Sequence, residues 1–213
     1  MNTTVKRGRA PRTLRAEQVS RTRRRILEAA TALFLERGYA AATMEAIAAG
    51  AGVAVETVYS RFRSKVNLLA AILEVGIVGA DDGRDLFERS EIAQIRAASD
   101  QCTQLRRLAA FSKDILERTD TAHRILHTAA AADPTAARLR ESDTLRRREG
   151  QRVYIDMLLE KGPLRHGLTP EHAADTYSVL SSPETYAFLV GERGWTPEQF
   201  QHWLAETLIG ALL

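Results

Sequence analysis

Between residues 48 and 62 the chain reads AAGAGVAVETVYSRF, and Gly50 and Gly52 there constrain the possible fold more than any other pair of residues. A Gly-x-Gly before an apolar stretch is either a phosphate-cradling loop or a tight turn between helices. A dinucleotide fingerprint needs G-x-G-x-x-G between a strand and a helix. Here the sixth position is Val55, and the preceding segment carries helical periodicity. The phosphate loop of nucleotide hydrolases fails too, because no Gly-Lys-Ser/Thr follows. The glycines are therefore read as the turn of a helix-turn-helix, where positive φ and close helix approach both call for glycine.

The flanking pattern supports that turn. Ile26, Leu27, Ala30, Leu33 and Phe34 recur at the spacing of one buried helix face that begins near Thr22, and Gly38 is placed to end it. Thr43 stands at an N-cap position ahead of Met44, Ile47 and Ala48. A short helix fits residues 55–62, and Ser64 caps a longer one carrying Leu68, Leu69, Ile72 and Leu73. No segment alternates as a strand does, so an all-α fold is expected. The chain divides into a flexible basic arm over residues 1–20, a three-helix domain with the helix-turn-helix over 21–66, and a helical domain over 67–213. In the last of these, helices are expected near 65–80, 101–117, 121–132, 134–161, 170–190 and 197–212. Residues 81–100 resist assignment. Asp133-Pro134 and Thr196-Pro197 are strong helix starts, each a side-chain cap followed by proline in the first turn. Pro183, behind Ser181 and Ser182, is read as a kink rather than a restart.

Charge narrows the partners. Residues 1–25 hold nine cationic side chains against Glu17 alone, a balance of +8, which leaves −5 for the rest of a chain whose total is +3. A basic head on an acidic body fits a polyanion partner for the head, or a tail that serves solubility. The apolar stretch from Leu68 to Ala80 is broken by Glu74 and falls short of the roughly 20 residues a bilayer span needs. The basic N-terminus leads into no signal-peptide core, and the single Cys102 cannot form an internal disulfide; a cytoplasmic protein without cofactor or metal is expected.

The run TMEAIAAGAGVAVETVYSRFRSKVNLL, Thr43 to Leu69, resembles the DNA-binding segment of the tetracycline-repressor (TetR) family of bacterial transcription regulators. The matching positions include Thr43, Ile47, Ala48, Gly52, Val53, Thr57, Tyr59, Phe62, Ser64, Lys65 and Leu68, with LFLERGY upstream. The C-terminal SSPETYAFLVGERGWTPEQFQHWLAETLIGALL looks like the tail of one large branch of that family. The resemblance implies a homodimer that reads a palindromic operator in double-stranded DNA and leaves it on binding a small molecule. A helical enzyme acting on a hydrophobic substrate is the rival reading, and no nucleophile-elbow, metal or cofactor motif supports it.

In a helix-turn-helix the second helix enters the major groove. It offers Val55, Glu56, Tyr59 and Ser60 to base edges, and the resemblance assigns Thr43, Thr57, Tyr59 and Lys65 to phosphates, which fix register without reading sequence. Glu56 departs from the family, where a small residue is usual, and Val55 stands where a polar or basic one is frequent. Arg9 or Arg12 of the arm can supply a minor-groove contact. For the second domain the resemblance implies an effector cavity between helices, with Phe111, Ile115, His123, Leu126, His127, Tyr154 and Tyr177 as candidate lining residues. His123 and His127 are one turn apart, a metal-ligand spacing without a third ligand in view. The last two helices carry an apolar stripe, and Tyr186, Leu189, Trp203, Leu204 and Leu208 are expected at the dimer interface.

Overall fold

The computed structural model describes residues 11–79 and 90–213, and the chain forms two compact units, residues 1–72 and 73–213. Every regular element among the described residues is helical: α1 (Pro11–Ala41), α2 (Met44–Ala51), α3 (Val55–Phe62), α4 (Lys65–Val78), α5 (Ser90–Arg96), α6 (Gln101–Ala132), α7 (Pro134–Leu159), α8 (Pro170–Leu180), α9 (Pro183–Tyr186) and α10 (Pro197–Leu212). A π-helical segment, Ala187–Glu192, continues α9.

In the first unit, α1 begins at Pro11, eleven residues before the start expected near Thr22, so residues 11–20 belong to a helix rather than to an arm. Arg9 lies outside the described residues. Gly38 adopts φ 77° and ψ 157° and bends the chain before it runs on to Ala41. Ile26, Ala30, Phe34 and Tyr39 of α1 are buried with Ile47 and Ala48 of α2, Val58 and Phe62 of α3, and Leu68 and Leu69 of α4. Thr43 caps α2 by accepting a hydrogen bond from Ala46 N. Gly52 closes α2 in the left-handed region, φ 61° and ψ 44°, which a residue with a Cβ enters at a cost.

The second unit is organised around α6, which packs against α5, α7, α9 and α10. Sequence reading divides this helix near residue 120, but it runs unbroken for 32 residues. The reason is Thr119. Fully buried, it donates its hydroxyl to Ile115 O one turn back, so a residue type that favours breaks is satisfied inside the helix. Asp100, Asp133, Thr169 and Thr196 cap the helices that follow them, and Thr196 forms a reciprocal capping box with Gln199. Pro183 restarts the helix instead of kinking it. Ser182 accepts from Thr185 N as a new N-cap, and Pro183 takes the first helical position, where its missing N–H costs nothing. α5 supplies a helix within the stretch that sequence leaves unassigned, and residues 80–89 lie outside the described ones.

Phe200, Leu204, Leu208 and Leu212 of α10 are buried with Leu105, Leu108, Ile155 and Leu158 of α6 and α7. This corrects the interface expected from the apolar stripe: Leu204, Leu208 and Tyr186 belong to the core of their own unit. Tyr186 stacks edge-on against Phe200 at 4.9 Å between ring centroids. Leu189 and Trp203 remain partly exposed.

Candidate nucleic-acid interface and effector cavity

Helices α2 and α3, joined by the turn at Gly52–Ala54, form the expected helix-turn-helix. Val58 and Phe62 anchor α3 in the core and so turn the opposite face outward. On that face Glu56, Tyr59 and Ser60 are exposed, Val55 and Thr57 are half-buried, and Thr43 is exposed at the start of α2. Tyr59 is 44% exposed, and its hydroxyl donates to Glu45 Oε1 at 3.2 Å, tying α3 to the first turn of α2. Glu45 was not singled out from sequence. It is the first-turn acid two residues after the cap, and its own backbone N–H holds its carboxyl below the usual range. Ser60 Oγ donates to Thr57 O. Arg63, directly after α3, adopts φ 64° although it is not glycine. Lys65 points back at α1: its ammonium donates to Tyr39 O at 2.8 Å and to Ala40 O at 3.1 Å, with the Tyr39 ring 4.8 Å away.

The second unit contains two neighbouring cavities. One, of about 360 Å³, is walled by Phe111, Ile115, Tyr154 and Tyr177, with Ile77 and Val78 of α4. The other, of about 390 Å³, is lined by Leu126, His127 and Phe188 among others, and His123 and Arg147 border both. The structure thus brings all seven candidate effector residues to cavity walls, four at the first cavity, two at the second and His123 between them. Phe111, Tyr154 and Tyr177 form a chain of edge-to-face rings, 6.2 and 6.3 Å apart. Burial raises both tyrosine hydroxyls well above their usual range, so each remains a neutral phenol.

On the wall of the second cavity sits Asp143, which is buried and absent from the sequence-based candidates. Arg146 Nη2 donates to its Oδ1 at 2.9 Å, Arg147 Nε to its Oδ2 at 3.1 Å, and His123 Nε2 lies 3.3 Å from Oδ2. Burial opposes ionisation here, but the hydrogen bond and charge of His123 and the two guanidiniums outweigh it and hold the carboxyl at about 2. From sequence, Arg146-Arg147-Arg148 reads as a solvated run; its spacing of three and four residues from Asp143 was the available signal. His123 also bonds Thr119 O, and His127 is exposed, so the two imidazoles sit in different surroundings.

A helix-turn-helix packed on a longer helix is an architecture of DNA-binding domains, and the helical second unit beside it in sequence bears two cavities. Residues 26–72 match the model of bacterial regulatory proteins of the tetR family. This segment of the chain is similar to the DNA-binding segment of that family. Over 95 residues it is 40% identical to the HTH-type transcriptional repressor KstR of Mycolicibacterium smegmatis, a match spanning 45% of this chain and 42% of that protein. Among solved structures, SmeT in complex with triclosan superposes with a TM-score of 0.70 at 22% identity, covering 90% of this chain and 91% of that one. A candidate transcriptional regulator from Saccharomonospora viridis in complex with choline does so with a TM-score of 0.64 at 22% identity, covering 91% and 98%. At these identities the structural likeness speaks for the fold. No helix among the described residues is long and apolar enough to cross a membrane.

Proposed function

We propose that the protein is a cytoplasmic, sequence-specific transcriptional repressor, not an enzyme, whose homodimer leaves a palindromic operator when a small molecule enters the second unit. The observation that carries this reading is the exposed face of α3, from Val55 to Ser60, held outward by the buried Val58 and Phe62. Val55, Glu56, Tyr59 and Ser60 face base edges and Thr43 and Thr57 face phosphates; an acid at position 56 can accept from a cytosine amino group. The basic head of residues 1–25 neutralises further phosphates, so affinity falls steeply with salt. The cavity of about 360 Å³ lies within the size range of small-molecule sites, and relatives of similar fold hold triclosan and choline. Partly exposed apolar groups of the C-terminal helices, among them Leu189, Trp203 and Val179, supply the dimer contact.

The test is fluorescence anisotropy with duplex DNA taken from beside the protein's own gene, titrated at several salt concentrations against a scrambled duplex. Specific binding with a steep negative slope of log affinity on log salt is expected. Equal affinity for both duplexes would remove the regulatory reading.

A further inference from the structure

Hydrogen-bond accounting on one wall of the 360 Å³ cavity identifies the chemistry of its occupant. Ser112, Gln151, Tyr177 and Ser181 together form a polar wall of it. Ser181 donates its hydroxyl to Tyr177 O at 2.7 Å, so its oxygen can only accept from Gln151, 3.1 Å away. That fixes the orientation of the Gln151 amide: the nitrogen faces Ser181 and Oε1 faces elsewhere. Ser112 in turn donates to Leu108 O at 2.8 Å, so the hydroxyl of Tyr177, 2.7 Å from Ser112 Oγ, is the donor of that pair. The hydroxyl protons of Ser112, Tyr177 and Ser181 are thus committed. Among the described residues nothing donates to Gln151 Oε1, although it is buried and its residue is only 7% exposed. A buried amide oxygen without a donor is costly, and an occupant of the cavity is placed to relieve it.

The charged groups nearby do not redirect this preference. The basic side chains that line the cavity, Arg146, Arg147 and His123, already share Asp143, and the acidic lining residue, Glu74, is exposed to water. Ile77, Val78, Phe111, Ile115, Leu116 and the ring of Tyr154 supply the apolar surface of the cavity.

We propose that this cavity takes an uncharged amphipathic molecule, an apolar body bearing a phenol or alcohol, whose hydroxyl donates to Gln151 Oε1. The proposal rests on reading the cavity as the effector site, but it is tested without DNA. Full-length protein is titrated calorimetrically with 4-propylphenol, its methyl ether, 4-propylbenzoate and phenyltrimethylammonium. The phenol should bind about tenfold more tightly than the ether, the increment of one hydrogen bond, and more tightly than either ion. Gln151→Leu and Gln151→Met should each erase the difference between phenol and ether while melting within a few degrees of wild type, since loss of the bond from Gln151 Nε2 to Ser181 is offset by removal of the buried oxygen that has no donor. The proposal is overturned by equal phenol and ether affinities in wild type, by undiminished phenol preference in both variants, by tighter binding of either ion, or by the absence of saturable phenol binding. Phenol binding as expected, with no effect on operator DNA, would strike the regulatory reading and leave this one standing.

Discussion

Lys65 is joined to Tyr39 twice: its ammonium donates a hydrogen bond to the Tyr39 carbonyl at 2.8 Å and stands 4.8 Å from the centre of the same residue's ring. A side chain that family resemblance assigns to a DNA phosphate is thus engaged, in the protein alone, at the C-terminal end of α1, whose last carbonyls have no helical partner. Lys65→Met should therefore destabilise the first unit by about 1 kcal/mol, the value of a charge-assisted bond discounted for partial exposure. Urea unfolding of the isolated variant measures it, and an unchanged midpoint would return Lys65 to a purely DNA-facing role.

Tyr59 makes the opposite case. It is exposed, and its one hydrogen bond, to Glu45, is itself in water. Tyr59→Ala should leave the melting temperature nearly unchanged. It should weaken binding to the cognate duplex at least about tenfold in anisotropy titrations. A variant that melts early would make the residue structural.

Asp143 predicts an acid dependence. Its carboxyl is held at about 2, below the unfolded value of about 3.9, so its contribution is complete above pH 4 and is lost as pH falls from about 4 towards 2. Asp143→Asn leaves Arg146, Arg147 and His123 without their shared anion. It should cost about 3 kcal/mol at pH 7, the low end for a broken buried pair, because Arg146 can turn to solvent. Denaturant titrations of wild type and variant should differ by that amount down to pH 5, and the difference should close progressively between pH 4 and pH 2. A gap that stays constant to pH 2 would assign the effect to packing.

Leu208 and Val179 separate folding from assembly. Leu208 has no exposed surface, so Leu208→Glu should cost more than about 4 kcal/mol and unfold the second unit rather than yield a folded monomer. Val179 on α8 is 67% exposed, and Val179→Glu should leave melting unchanged while light scattering shows the dimer weakened. A Val179→Glu dimer as tight as wild type would place the interface elsewhere.

Local signals made much of this architecture readable from the chain. Thr43, Asp133-Pro134 and Thr196-Pro197 mark helix starts that depend only on the backbone beside them, and the structure has helices beginning directly after each. Elements settled by distant neighbours were not readable. Thr119 looks like a helix breaker until its burial against the rest of the unit is known. An apolar stripe such as Leu204–Leu208 states that a partner exists without stating which, and here α6 supplies it. The same holds within the cavity: Gln151 and Ser181 are 30 residues apart, and only their meeting exposes the unshared oxygen. Pro183 was misread because Ser182, the residue that caps a new helix, can equally well end an old one.

The π-helical segment Ala187–Glu192 gives the chain slack. Arg193 N reaches back five residues to Phe188 O and Trp195 N six residues to Leu189 O, so these closures hold more chain than an α-helical turn requires. Gly194, at φ 73°, then turns the chain towards α10. Loss of one residue here, Val190 for instance, can be absorbed by tightening the closure to α-helical spacing. The same loss early in α10 would rotate every later side chain by about 100° and swing Leu204, Leu208 and Leu212 out of the core. Length variation in this part of the molecule is therefore expected to collect between residues 187 and 195, with the sixteen residues of α10 held at fixed count.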